Sequence, residues 1–274
     1  MPKKIITMST NQCYWTSVND DVKSHIEQAL LGRQPAACVL KPLRDLAFAA
    51  PKSAASVLCV AACEMVGGHR EQAIAAASAI HLMHSAAFTH ENLLVSDKPI
   101  TKSMPNVHHY HAFDSNIELL TADNLFLLGY ELLAELDDPT DALSERILKV
   151  IVEISTAMGS QGMVEGQYIQ QLSCMGSDGD EKCKVSYIFA CGAVCGAILG
   201  GGTNEEIEKL RRYGFYVGMM NGMMTMHGVG LLEEKTLLQM VESFRNLALK
   251  ELENFQDRNI DTIRSLTDGF HPNE

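Results

Sequence analysis

The stretch CGAVCGAILGGG, residues 191–202, constrains the fold more than any other part of the chain. It carries no charge, and Gly192, Gly196 and Gly200 recur every four residues. On a helix, positions i and i+4 lie one above the other on the same face. The glycines therefore form a flat stripe against which another backbone can pack closely. Cys191 and Cys195 share the spacing, and Cys59 and Cys63 repeat it in CVAAC. The pattern allows a close helix–helix approach. It leaves open whether the neighbour belongs to the same chain or to another.

The rest of the chain agrees with a helical class. Ala, Leu and Met abound, aromatics make up only 6%, and β-branched runs are scarce. The fold class expected is all-α, a single large helical domain over residues 1–274, with about 1–20 and 265–274 as flexible termini. Periodicity predicts helices over 21–32, 43–66, 70–90, 116–136, 141–159, 182–199 and 233–255. A further helix starts at Thr203 or Asn204, with acids in its first turn as the helix dipole prefers. The segment 91–116 loses periodicity and reads as a long loop, and GSDGDEKC as a second one. The net charge of −12 and the lack of a basic face argue against a nucleic-acid partner. No apolar run reaches the ~18–20 residues of a membrane helix, and no secretory leader is visible.

Four thiols on two helices admit several readings. Zinc sites usually place cysteines on loops or knuckles at C-x₂₋₄-C spacing. A disulfide within either pair has poor geometry, because the two side chains run nearly parallel. Core packing of a small, soft side chain and a close helix seam both fit. His108, His109 and His111 cluster in the long loop without a metal-ligand spacing. The stretch GFYVGMMNGMMTMHG, residues 214–228, holds five methionines and no carboxylate, as a core or an adaptable binding surface would. No Ser-His-Asp set, P-loop or dinucleotide fingerprint is present.

The order of segments resembles the trans-isoprenyl diphosphate synthases. The carriers are DLAFAAPKSAASVLCVAACEMVGG (45–68), AIHLMHSAAFTHENL (79–93), ELLTADNLFLLGYELLA (118–134), GSQGMVEGQ (159–167) and GAILGGGTNEEIEKLRRYGFYVG (196–218). Within that family the chain is most similar to the small, non-catalytic subunit type of heteromeric plant geranyl diphosphate synthases. That type is marked by two CxxxC motifs, matched here by Cys59/Cys63 and Cys191/Cys195.

The resemblance also shows what has changed. Family enzymes ionise an allylic diphosphate whose charge is neutralised by Mg²⁺ on two facing aspartate-rich motifs, and Mg²⁺ takes hard oxygen ligands. At the first motif this chain has Glu91, Asn92, Leu93 and Leu94 after His90. At the second it has Thr225, Met226, His227 and Gly228. The family's Gly-Gly-Lys-Arg-x-Arg clamp reads Ala50, Pro51, Lys52, Ser53, Ala54 and Ala55. Both arginines, with their bidentate grip on phosphate, are gone. Lys52, His84, Glu91, Gln167 and Lys184 stand as degenerate family positions.

The resemblance therefore implies a subunit with no catalytic residues, metal or cofactor of its own. Its partner would be a catalytic large subunit resembling geranylgeranyl diphosphate synthase, which would hold the Mg²⁺. The complex would be a plastid hetero-oligomer that makes geranyl diphosphate. Both cysteine helices are expected at, or directly behind, the seam with that partner. The alternative is an independently active, divergent prenyltransferase or terpenoid enzyme.

Overall fold

The structure is a computed structural model. It describes residues 10–33, 36–51, 54–96, 113–136, 141–174, 184–228, 234–253, 255 and 257–268. The described residues form helices α1 (Thr10–Gly32), α2 (Ala37–Ala47), α3 (Ala54–Met65), α4 (Arg70–Ser96), α5 (Ser115–Ala134) and α6 (Asp141–Met158). Helices α7 (Met163–Cys174), α8 (Lys184–Leu199), α9 (Asn204–Gly228), α10 (Glu234–Leu252) and α11 (Asp261–Asp268) follow.

Helix α8 is the axis of the molecule. A helix apolar on every side must be enclosed, and residues 188–199 are buried without exception. It packs against α3, α4, α6, α7 and α9. The glycine stripe faces α3. A Cβ at Gly192 would overlap the carbonyl oxygen of Ala55, one at Gly196 that of Cys59, and one at Gly200 would stand 2.6 Å from that of Cys63. The close neighbour anticipated from the stripe is thus the chain's own α3.

Both cysteine helices end alike. Gly67 (φ 101°) and Gly201 (φ 80°) are left-handed. The next amide in each case, Gly68 or Gly202, donates back to Cys63 or Ala197 at 2.9 and 2.8 Å. This six-to-one closure satisfies carbonyls that a helix end would otherwise orphan. Helix α9 opens with a capping box: the Thr203 amide donates to Glu206 at 2.7 Å, and the Glu206 amide to Thr203 Oγ1 at 3.3 Å.

Several boundaries differ from those expected. The helix predicted over 43–66 is two, α2 and α3, separated by a turn through Ala50 and Pro51. Proline lacks an amide hydrogen and steers the residue before it out of the α region. The end of α2 is closed from α4 instead, where Ser85 Oγ and His81 Nε2 donate to the Ala47 carbonyl at 2.8 and 3.0 Å. Burial holds His81 below the usual imidazole range, so the ring donates as a neutral group.

Helix α1 starts at Thr10, not residue 21, because tertiary contacts hold its polar first half. Val18 is fully buried. Tyr14 donates to Glu64 at 2.5 Å, and Arg70 ties Glu64 to Asp21. At the other end residues 261–268 are helical where fraying was expected from 265, with Tyr213 donating to the Ile263 carbonyl. Helix α4 continues to Ser96, through residues expected in a loop, and α7 was not foreseen. The histidines at 108, 109 and 111 and the loop 176–183 lie outside the described residues.

Candidate partner-binding surface

The four cysteines of the CxxxC motifs are inside the molecule. Their relative exposures are 0% for Cys59, Cys63 and Cys195 and 1% for Cys191. In this chain they stand on its own interior packing and not on its outer surface. Cys191 and Cys195 Sγ stand 3.7 Å apart, and Cys63 Sγ is 3.5 Å from the His69 carbonyl. Burial pushes the Cys59 thiol well up and that of Cys63 up to about 12. The contact with Cys191, together with burial, raises Cys195.

Buried thiols are out of reach of an alkylating reagent, so these four should resist alkylation while exposed Cys13 and Cys38 react. Peptide mapping after iodoacetamide treatment at pH 8 is expected to show rapid native labelling of Cys13 and Cys38. The buried four should label at least ~100-fold more slowly until the chain is unfolded. Fast native labelling of Cys59 or Cys195 would contradict this packing.

The degenerate family positions are only partly brought together. Glu91 of α4 and Gln167 of α7 line one cavity of about 350 Å³, with His90, Phe126, Met158 and Tyr168. His90 Nε2 lies 3.2 Å from Asp123 and its ring stacks on Phe126. His84 is half-buried two turns earlier on α4 and does not line this cavity. Lys52 and the side chain of Lys184 lie outside the described residues. None of the described residues lining the cavity is Lys or Arg, so a diphosphate there meets the Glu91 carboxylate, the polar side chains of His90, Gln167 and Tyr168, and otherwise apolar walls. Thr225 is exposed and donates to its own helix at Asn221. Among the described residues, no group of three or more His, Cys, Asp or Glu converges as a metal would require. These residues do not fit Mg²⁺.

The outer surface is more distinctive. Of the twelve large apolar side chains exposed among the described residues, eight lie on α5, α6 and α7. Leu120 and Leu127 of α5 are 65% and 61% exposed, and Leu148 and Val152 of α6 are both 63% exposed. The spacing Leu120–Leu127 is two turns, and Leu148–Val152 is one turn, so each pair shares a helix face. Tyr130 and Ser155 hydroxyls, 3.0 Å apart, join the two helices one turn beyond Leu127 and Val152. Val164 and Tyr168 of α7 are exposed as well, and both line the cavity of Glu91 and Gln167. Isolated exposed leucines are ordinary; their concentration on α5 and α6 sets this surface apart.

Sequence reasoning missed this surface because α5 is apolar on two sides. Leu125, Leu128 and Leu132 point inward, and a periodicity search finds that stripe first. The surplus of leucine beyond one stripe was the available signal.

The polyprenyl synthetase family profile matches residues 37–221, two-thirds of the chain. The chain belongs to the polyprenyl synthetase family. It is 42% identical to the Cannabis sativa "heterodimeric geranylgeranyl pyrophosphate synthase small subunit 2, chloroplastic", covering 98% of this chain and 97% of that one. The crystal structure of geranyl diphosphate synthase small subunit from Antirrhinum majus superposes with a TM-score of 0.80. It is 42% identical, over 95% of this chain and 100% of that one. A mint deletion mutant of heterotetrameric geranyl pyrophosphate synthase, solved in complex with ligands, follows at 0.79 and 38%, with 95% and 100% covered. The all-helical fold of this family is thus the fold of this chain.

Proposed function

We propose that this chain is the non-catalytic small subunit of a chloroplast prenyltransferase. It binds a catalytic large subunit resembling geranylgeranyl diphosphate synthase. In that complex it directs condensation of isopentenyl and dimethylallyl diphosphates toward geranyl diphosphate, the C10 precursor of monoterpenes.

The observation that carries this reading is a contrast within one molecule. Large apolar side chains of α5 and α6 stand in solvent, while the cavity beside α4 and α7 keeps Glu91 at a family position and no Lys or Arg among its described residues. Ionising a diphosphate needs strong neutralisation of the leaving group. A chain that supplies little of it acts through a partner that does, and Mg²⁺ belongs to that partner. The names of the relatives, which speak of heteromeric synthases and of chloroplasts, support the same reading. The CxxxC helices act from behind the surface: α6 rests on α8, and α8 on α3. Their thiols and glycines set the shape on which α6 is carried.

Co-expression with a chloroplast geranylgeranyl pyrophosphate synthase, followed by sizing and product analysis, tests the reading. A stable hetero-oligomer with a raised C10 share is the expected result. A complex that makes only the C20 product is the second reading, favoured by the name of the Cannabis relative. A large subunit whose elution and products ignore this chain would remove both.

A further inference from the structure

Helices α6 and α9 both pack on α8. Residues of all three line a cavity of about 370 Å³, separate from the one that holds Glu91 and Gln167. Buried Ala190 and Cys191 of α8 form its floor. At the volume water occupies in the liquid, the space holds about a dozen waters.

One wall is aromatic and set in advance of any ligand. Phe215 stands edge-on to Tyr187 and to Tyr216, each pair with ring centroids 6.1 Å apart. All three rings are half-buried, so they hold one another and still present apolar surface to the cavity.

The charges on the lining close on one another. Arg211 engages all three guanidinium nitrogens: two donate to Glu153 at 2.7 and 2.9 Å, and the third to Glu208 at 3.2 Å. Arg212 donates twice to Glu251 at 2.9 Å. An anionic ligand would have to displace a carboxylate from a bidentate pair, and a cationic one a guanidinium. Either exchange strands a charge without its partner. An uncharged molecule disturbs neither pair. The other polar side chains of the lining, Thr156, Gln161, Tyr187 and Tyr216, are neutral and can hydrogen-bond a hydroxyl or a carbonyl.

We infer that this cavity is a binding site for an uncharged, apolar small molecule of about ten to twelve non-hydrogen atoms carrying one hydroxyl or carbonyl. Its body lies against the three rings and Cys191. The site belongs to this chain alone, so its failure would leave the partner reading untouched.

Saturation-transfer NMR and calorimetric titration on the purified full chain test this with two probes, geraniol and geranyl diphosphate, which share one hydrocarbon and differ in charge. Geraniol should bind saturably with a Kd of roughly 0.1–1 mM, and a tenfold excess of geranyl diphosphate should not displace it. Thr156→Trp, at an exposed position, fills the mouth of the cavity. It should raise the geraniol Kd at least about tenfold with an unchanged melting curve. Glu153→Gln keeps the side-chain shape and releases Arg211 from its bidentate partner. In that variant geranyl diphosphate should displace geraniol at equal concentration. No saturable geraniol binding by the native chain, native-like binding by Thr156→Trp, or displacement by geranyl diphosphate from the native chain would each overturn the assignment.

Discussion

Gly196→Ala is expected to destabilise the chain by roughly 3 kcal/mol, at or beyond the upper end of typical overpacking penalties, and to lower the melting temperature by about 5 °C. The added methyl has no flexible side chain to displace. It meets the Cys59 carbonyl, with the Cys59 carbon and the Cys63 amide within 3.0 Å behind it. Relief requires α3 and α8 to separate, which opens gaps along an interior where close packing is the source of cohesion. Gly32→Ala is the control. Nothing lies within 4 Å of a Cβ there, and the change should stabilise by about 0.4–1 kcal/mol through the unfolded chain. Thermal melts of the two variants side by side check this. A Gly196→Ala chain as stable as the native one would mean that the two helices are not in the contact described.

The double substitution Leu120→Asp/Leu127→Asp is expected to weaken assembly with the large subunit by a factor of about 100–1,000. Burying a leucine is worth about 1.5–3 kcal/mol, and each introduced carboxylate adds a desolvation cost in an apolar interface. The free chain should keep its melting temperature, because both side chains already stand largely in solvent. Analytical sizing and titration of the large subunit read the effect. Assembly at native affinity with both charges in place would move the partner surface away from α5.

Much of the fold was legible because its signals are local. The three-residue step from Thr203 to Glu206 announces a helix start, and Gly67 and Gly201 follow apolar segments that must end. The glycine stripe predicted a close approach that the structure realises at Ala55, Cys59 and Cys63. Other features depend on contacts distant in sequence. The first half of α1 has little apolar periodicity and is held by Trp15 on Ser265, 250 residues away, and by Tyr14 on Glu64. The break at Pro51 carries its own signal in the proline, but the alanine-rich residues on both sides are strong helix formers and mask it in a window average. The identity of the partner across the thiol stripe was unreadable, because a stripe states how closely something packs and not what it is. The candidate surface was unreadable for the converse reason: Leu120 and Leu127 are distinguished from Leu125 and Leu128 only by which of them the rest of the chain covers.

The central claim is that this chain turns over diphosphates only in company. Its most direct test is product formation from isopentenyl and dimethylallyl diphosphates with Mg²⁺, by the purified chain, by the large subunit and by the two together. The chain alone should give no product above the protein-free control, and its addition should shift the large subunit's output toward C10. Sustained condensation by the chain alone, or an output from the mixture identical to that of the large subunit, would contradict the account.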